Sequence, residues 1–179
     1  MMFFEKVTKE RFIEDVTKEF INVSHNMGVD EIYDMSVEEI YDKIQLPTRS
    51  TYGSAGYDFR TPIPFYLPAG ETIKIPTGIK VCLDRGTFLM CVPRSGLGFK
   101  YRLQLDNTVA IIDEDYYNNP GNEGHIWFKL TNDSRDGKGV QLNMGDAMCQ
   151  GIILSYLIVD DDNAQGNRVG GFGSTGGLR

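Results

Sequence analysis

The chain is poor in the residues from which thiol and metal chemistry is built. It carries three cysteines and two histidines in 179 residues. Cys82, Cys91 and Cys149 are odd in number, no pair sits at metal-ligand spacing, and each falls in an apolar stretch. They are expected to be reduced, buried small hydrophobes. His25 and His125 are far apart in sequence, so a zinc site is not expected. No apolar run approaches the roughly 20 residues that a bilayer span needs. Met1-Met2-Phe3-Phe4 runs at once into charge, unlike a secretory leader. A cytoplasmic location without membrane contact is the expectation. Basic residues are outnumbered 18 to 25, which argues against direct nucleic-acid binding, because that needs a basic footprint. A small anionic ligand stays admissible, since a few placed arginines and a metal ion set a local field.

What is present divides the chain in three. Residues 1–45 are acidic and lack proline, with a single glycine. Phe12, Ile13, Val16 and Phe20 recur at steps of three and four, as on one face of an amphipathic helix. Ser36-Val37-Glu38-Glu39 is a capping box that should open a short helix carrying Ile40 and Ile44. This stretch reads as a helical extension that packs on the body or on a neighbouring subunit. From 46 to 160 the period is two. Ile73 and Ile75, then Ile79, Val81 and Leu83, then Ile126, Phe128 and Leu130, then Val140, Leu142 and Met144 alternate with polar or small partners. Many short strands cut by Gly and Pro predict a mainly β sandwich or barrel, with no sustained helical period. Asp160-Asp161-Asp162-Asn163 reads as a solvated linker that frees residues 161–179 as a flexible C-terminal arm.

Five segments carry chemistry. Ser54-Ala55-Gly56-Tyr57-Asp58-Phe59 is a small-residue turn delivering one carboxylate. Pro93-Arg94-Ser95-Gly96-Leu97-Gly98-Phe99-Lys100 outlines an anion-binding turn: Arg94 can fork onto phosphate, Ser95 adds a hydroxyl and an amide, and the glycines admit close approach. Asn107 to Tyr116 reads NTVAIIDEDY, an apolar run ending in three carboxylates. A strand that holds Asp113 at its end can present it to water as a general base, with Asp115 on the same side and Glu114 opposite. Gly145-Asp146-Ala147-Met148-Cys149-Gln150 sets an Asp and a Gln beside an apolar strand. The tail, Gly170 to Gly177, joins five glycines to Phe172, Ser174 and Thr175. It suits a lid, with an aromatic face for a base and amides and hydroxyls for phosphate.

In this order the five segments resemble the motifs of the trimeric dUTPase family, from about Leu46 to Gly177. The resemblance implies a jelly-roll-like β-barrel, a homotrimer with shared active sites, and Mg²⁺-dependent hydrolysis of dUTP to dUMP and pyrophosphate. That activity keeps uracil out of DNA and supplies dUMP for thymidylate synthesis. It implies that Asp113 activates the water that attacks the α-phosphorus, and that Arg94, Ser95, Gly96 and Gln150 contact phosphate. Asn107 reads the uracil edge, with the hairpin backbone at Thr108, Ile111 and Ile112. Tyr116 packs on the deoxyribose, where a 2′-hydroxyl would collide. Phe172 covers the base, while Gly173, Ser174, Thr175 and Gly176 wrap the γ-phosphate. Asp58 lies near the water shell of a metal held by the triphosphate itself. Three departures stand out. Ala110 replaces a usual glycine, Arg168 stands four residues before Phe172 rather than five, which leaves its expected contact with the β/γ-phosphates open, and Tyr117 to Glu123 (YNNPGNE) extends the hairpin. Two alternatives are kept open. One is a dCTP deaminase-type enzyme with Glu114 as proton shuttle. The other is a nucleotide-sensing module whose extra helices engage a protein.

Overall fold

The computed structural model describes residues 1–20, 35–166 and 168–171. The first residues are not helical. Phe3–Lys6 form strand β1, which pairs antiparallel with β6 (Ile79–Cys82), Phe4 opposite Val81. The extension is therefore tied to the body by a strand that helical periodicity could not reveal. Helix α1 (Lys9–Phe20) follows and buries Phe12 and Val16, as their spacing requires. Helix α2 (Val37–Lys43) opens on the expected capping box. The Glu39 amide donates to Ser36 Oγ at 3.2 Å, and the Ser36 amide donates to Glu39 Oε2 at 2.7 Å. Ile40 and Ile44 are buried with Phe12 in the same core as the β strands, so the extension closes one flank of that core.

The body is mainly β. Strands β2 (Thr48–Arg49), β3 (Tyr57–Arg60), β12 (Ala147–Ser155), β7 (Thr87–Pro93) and β9 (Ala110–Ile112) form a five-stranded sheet in that order. A second sheet sets β10 (Trp127–Asn132) between β5 (Thr72–Pro76) and β8 (Leu103–Leu105). Its register places Phe128 opposite Ile75 and Leu130 opposite Ile73, so the period-two apolar positions share one face. Strands β4 (Phe65–Leu67) and β11 (Val140–Leu142) form a further pair. Phe59 and Phe128 meet edge to face at 5.3 Å between these layers. The mainly β expectation holds, and among the described residues the pairings stay in separate open sheets with no closed barrel. The chain also holds an unexpected helix, α3 (Ser95–Tyr101), where glycines hide helical periodicity. Cys91 and Cys149 are buried, but Cys82 is only half-buried, at the end of edge strand β6. Among the described residues no helix is long and apolar enough to cross a membrane.

Candidate functional site

The phosphate-type residues gather where β3, β12 and β7 end together. Asp58 and Gln150 are cross-strand partners, so their side chains leave the sheet on one face. A Cβ on Gly56 would stand 2.5 Å from Gln150 Oε1, so a larger residue there would displace the Gln150 amide. Asp58 is buried and accepts from Ser50 Oγ at 2.7 Å on one oxygen. Its other oxygen faces Arg94 Nε at 3.3 Å. Arg94 stands directly before α3 and makes no side-chain cap bond there, which leaves the guanidinium to Asp58. Ser95 and Gly96 form the first turn of α3, whose leading amides have no partner within a helix and point along its axis. Ser50 was not anticipated; a lone serine in a turn carries no signal in sequence.

The nucleoside-type residues gather elsewhere. Thr108 holds φ +66°, a left-handed conformation uncommon for a β-branched residue and costing on the order of 1–3 kcal/mol. Its amide donates to the Leu105 carbonyl at 2.8 Å, and the Val109 amide to the Asn107 carbonyl at 2.6 Å. This tight turn leaves Asn107 exposed at the tip and launches β9, where Ile111 is exposed and Ile112 buried. Asp113 follows β9 in extended backbone, half-exposed, and a 3-10 turn over Glu114–Tyr116 comes next. The three carboxylates divide as expected, although the 3-10 turn rather than strand alternation sets their directions. Asp113 and Asp115 both take Arg168, the latter at 2.8 Å from its Nε. Glu114 turns away and accepts the Gly86 amide at 2.5 Å.

Tyr116 is buried beneath this group. Its hydroxyl donates to the His125 carbonyl at 3.1 Å and accepts from Asn122 Nδ2 at 2.8 Å. Burial raises its pKa, partly offset by the Asn122 amide. The Arg168 guanidinium lies 5.5 Å from the ring centroid. Burial works against the Arg168 charge, but Asp115 and Asp113 outweigh it and hold its pKa up. In this single chain Arg168 thus engages the carboxylates, where the resemblance left a phosphate contact open. Phe172, Gly173, Ser174 and Thr175 lie outside the described residues. The extension after Tyr116 is a folded loop: Asn119 is buried and Glu123 accepts both the amide and the hydroxyl of Thr8, at 2.9 and 2.6 Å.

Asp113 and Arg94 lie at opposite ends of β7, while the Asn107–Thr108 turn, just ahead of Ala110, lies toward the Arg94 end. That strand pairs Cys91 with Ala110 and Leu89 with Ile112, which sets Asp113 beside its beginning. The same strand ends at Pro93, opposite Cys149, with Arg94 next. Six residue steps of about 3.3 Å separate the two ends, roughly 20 Å.

A family profile described as dUTPase matches residues 42–176. The deoxyuridine 5′-triphosphate nucleotidohydrolase of Lactococcus lactis subsp. lactis (strain IL1403) is 41% identical over 135 residues, spanning 74% of this chain and 89% of the relative. The protein of that name from Hahella chejuensis (strain KCTC 2396) is 38% identical, over 75% and 89% of the two chains. The crystal structure of dUTPase from Streptococcus mutans matches with a TM-score of 0.58 at 37% identity, covering 66% of this chain and 91% of that one. A mutant dUTPase of the Staphylococcus aureus phage phi11, described with a structural Mg(II) ion, shares the fold at 19% identity and TM-score 0.56, over 70% and 92%.

Proposed function

This chain belongs to the dUTPase family, and from that premise we propose how its residues carry out the family reaction. The chain hydrolyses dUTP to dUMP and pyrophosphate. In the proposed scheme Asp113 takes a proton from water as that water attacks the α-phosphorus in line. The leaving pyrophosphate is met by Arg94, Ser95, Gly96 and Gln150, the positions the resemblance gives to phosphate. Asn107 and the backbone from Thr108 through Ile111 and Ile112 read the base, and Tyr116 receives the sugar. Arg168 leaves its two carboxylates for the triphosphate, which releases Asp113 to act as base. Phe172, Gly173, Ser174 and Thr175 complete the closed chamber. The work is assigned to the cytoplasm.

Mg²⁺ fits this scheme as part of the substrate. Among the described residues no three His, Cys, Asp or Glu side chains converge to hold a metal. Asp58, already paired with Ser50 and Arg94, is suited to the water around the ion rather than to the ion itself. When bound, the ion neutralises phosphate charge and orients the chain for in-line attack.

The observation that carries the reading is the placement of Asp113. It stands half-exposed at the end of β9, with the strained Asn107–Thr108 turn at the start of that strand and Tyr116 directly after it. The roughly 20 Å along β7 between Asp113 and Arg94 supports a site shared between chains, because Arg94 is turned to Asp58 and Asp113 to Arg168. Leu157, Ile158 and Val159, strongly exposed after β12, support an assembly in which another copy covers them. We take that assembly to be the homotrimer. Glu114, spent on the Gly86 amide, faces away from Asp113 and suits no proton shuttle there.

Asp113→Asn tests the assignment. It should bind dUTP as the wild type does and lose about 10²–10⁴ in turnover, the usual worth of a general base. Pyrophosphate release at the wild-type rate would refute it.

A further inference from the structure

The loop from Asn118 to Glu123 leaves the hairpin directly after Tyr116 and returns to its hydroxyl. Asn118 and Glu123 hold φ +52° and +58°, and the Asn118 amide closes the loop on the Glu123 carbonyl at 3.0 Å. Gly124 then sits at φ +80°, where a Cβ would stand 2.6 Å from the Tyr116 carbonyl oxygen, so no larger residue fits. Inside the loop Asn119 Nδ2 donates to that carbonyl at 2.8 Å and to Asn122 Oδ1 at 2.7 Å. Asn122 Oδ1 also accepts the Gly124 amide at 3.1 Å. The Asn122 amide orientation is thereby settled: its oxygen is spent inside the loop and its Nδ2 is turned to the Tyr116 hydroxyl. The other partner of that hydroxyl, the His125 carbonyl, is equally fixed. His125 Nδ1 donates to Asp15 Oδ2 of α1 at 2.6 Å, and its Nε2 accepts the Gly78 amide at 2.8 Å.

We propose that Asn122 is a positioning residue for sugar selection, holding the Tyr116 ring against the nucleoside so that a ribose cannot be admitted by a tilt of that ring. This rests on the dUTPase reading above, which gives Tyr116 to the deoxyribose. Without the Asn122 bond the phenol gives up a restraint from one direction and can tilt. Held from a second direction by Asn122 it cannot, and the 2′-hydroxyl of a ribonucleotide then meets a wall that does not yield. The same loop reaches the root of the tail, where a Cβ on Gly171 would stand 3.0 Å from Asn122 Nδ2. One side chain therefore bonds the Tyr116 hydroxyl and stands beside Gly171 at the root of the tail.

The test compares wild type, Asn122→Ala, Tyr116→Phe and the double variant. Pyrophosphate release is measured from dUTP and from UTP across substrate concentration. Asn122→Ala should lower the dUTP-over-UTP ratio of kcat/KM by about 3- to 10-fold, the worth of one lost neutral hydrogen bond, and Tyr116→Phe, which also gives up the bond to the His125 carbonyl, should lower it at least as far. The KM for dUTP should rise more than kcat falls. The double variant should fall no further than the worse single, because both delete the same bond. An unchanged ratio in a folded Asn122→Ala protein overturns the proposal, and so does an additive loss in the double variant. If Asn122→Ala fails to fold, Tyr116→Phe decides alone, and an unaltered ratio there overturns it. Absence of dUTP turnover in the wild type would instead strike the functional reading. The Tyr116 ring-flip rate, read by NMR without nucleotide, then decides: Asn122→Ala should accelerate it, and an unchanged rate refutes the bracing role.

Discussion

If Arg94 of one copy and Asp113 of the next serve one nucleotide, two dead variants should rescue each other. Arg94→Ala removes a phosphate cation, and Asp113→Asn removes the base. The two positions stand roughly 20 Å apart along one chain, from six strand steps of about 3.3 Å. A site therefore takes Arg94 from one copy and Asp113 from the next. In a ring assembled at random from equal amounts of the two variants, a site needs the Asp113→Asn copy on its phosphate side and the Arg94→Ala copy on its base side. In the mixed trimers that the two tags isolate, two copies of one variant and one of the other, one site in three meets both conditions, so activity should return to roughly 33% of wild type. The assay is co-expression with two affinity tags, isolation of mixed assemblies, and pyrophosphate release from dUTP. Mixed assemblies as inactive as either parent would show that each chain builds its own site and would refute the shared-site geometry.

Two further outcomes are expected. Acid should loosen the fold through His125. Burial lowers its pKa below 6.5 more than Asp15 raises it, and a proton on Nε2 would point at the Gly78 amide, donor against donor. Because the folded value is depressed, the unfolded chain takes the proton first. The stability contributed by neutral His125 is whole above about pH 6.5 and is lost as pH falls below that value toward the folded pKa. Asp15, held below its usual value because His125 and Arg11 outweigh its burial, adds a second loss at lower pH. Thermal melts of wild type and His125→Gln across this range check it, and equal slopes between pH 6.5 and 5 would contradict it. Removing the chain after Val169 should leave the melting temperature near that of the full chain, since every residue of the described core precedes that point, yet slow dUTP hydrolysis severely. Normal turnover by the truncated protein would defeat the lid assignment.

Much of the scaffold was legible because local chemistry set it. Phe12 and Val16 at helical spacing, the Ser36–Glu39 box, and the alternation at Ile73, Ile75, Phe128 and Leu130 each follow from periods of 3.6 or two. Asp113 at the end of an apolar strand was legible for the same reason, whereas the directions of Glu114 and Asp115 are set by the 3-10 turn over Glu114–Tyr116. Helix α3 was not, since its glycines erase the period. Strand β1 was not, because Phe3-Phe4-Glu5-Lys6 is too short to alternate and takes its structure from β6. Lys80 alternates as an outward residue yet is buried, because Asn118 Oδ1 accepts from its ammonium at 2.7 Å and Glu5 and Glu123 lie within 4 Å. The bond from Asn122 to Tyr116 depends on a loop closing back on itself, which composition marks as a turn but cannot aim.

The order of residues alone determined which groups the molecule possesses and the local form of most segments holding them, because hydrogen-bonding periods and side-chain types act over a few positions. Tertiary structure alone decided how those groups are distributed. Pairing of β7 with both β12 and β9 sends Arg94 and Asp113 to opposite ends of one strand. Strand registry is a long-range property, set by the burial of apolar faces rather than by any short stretch of sequence.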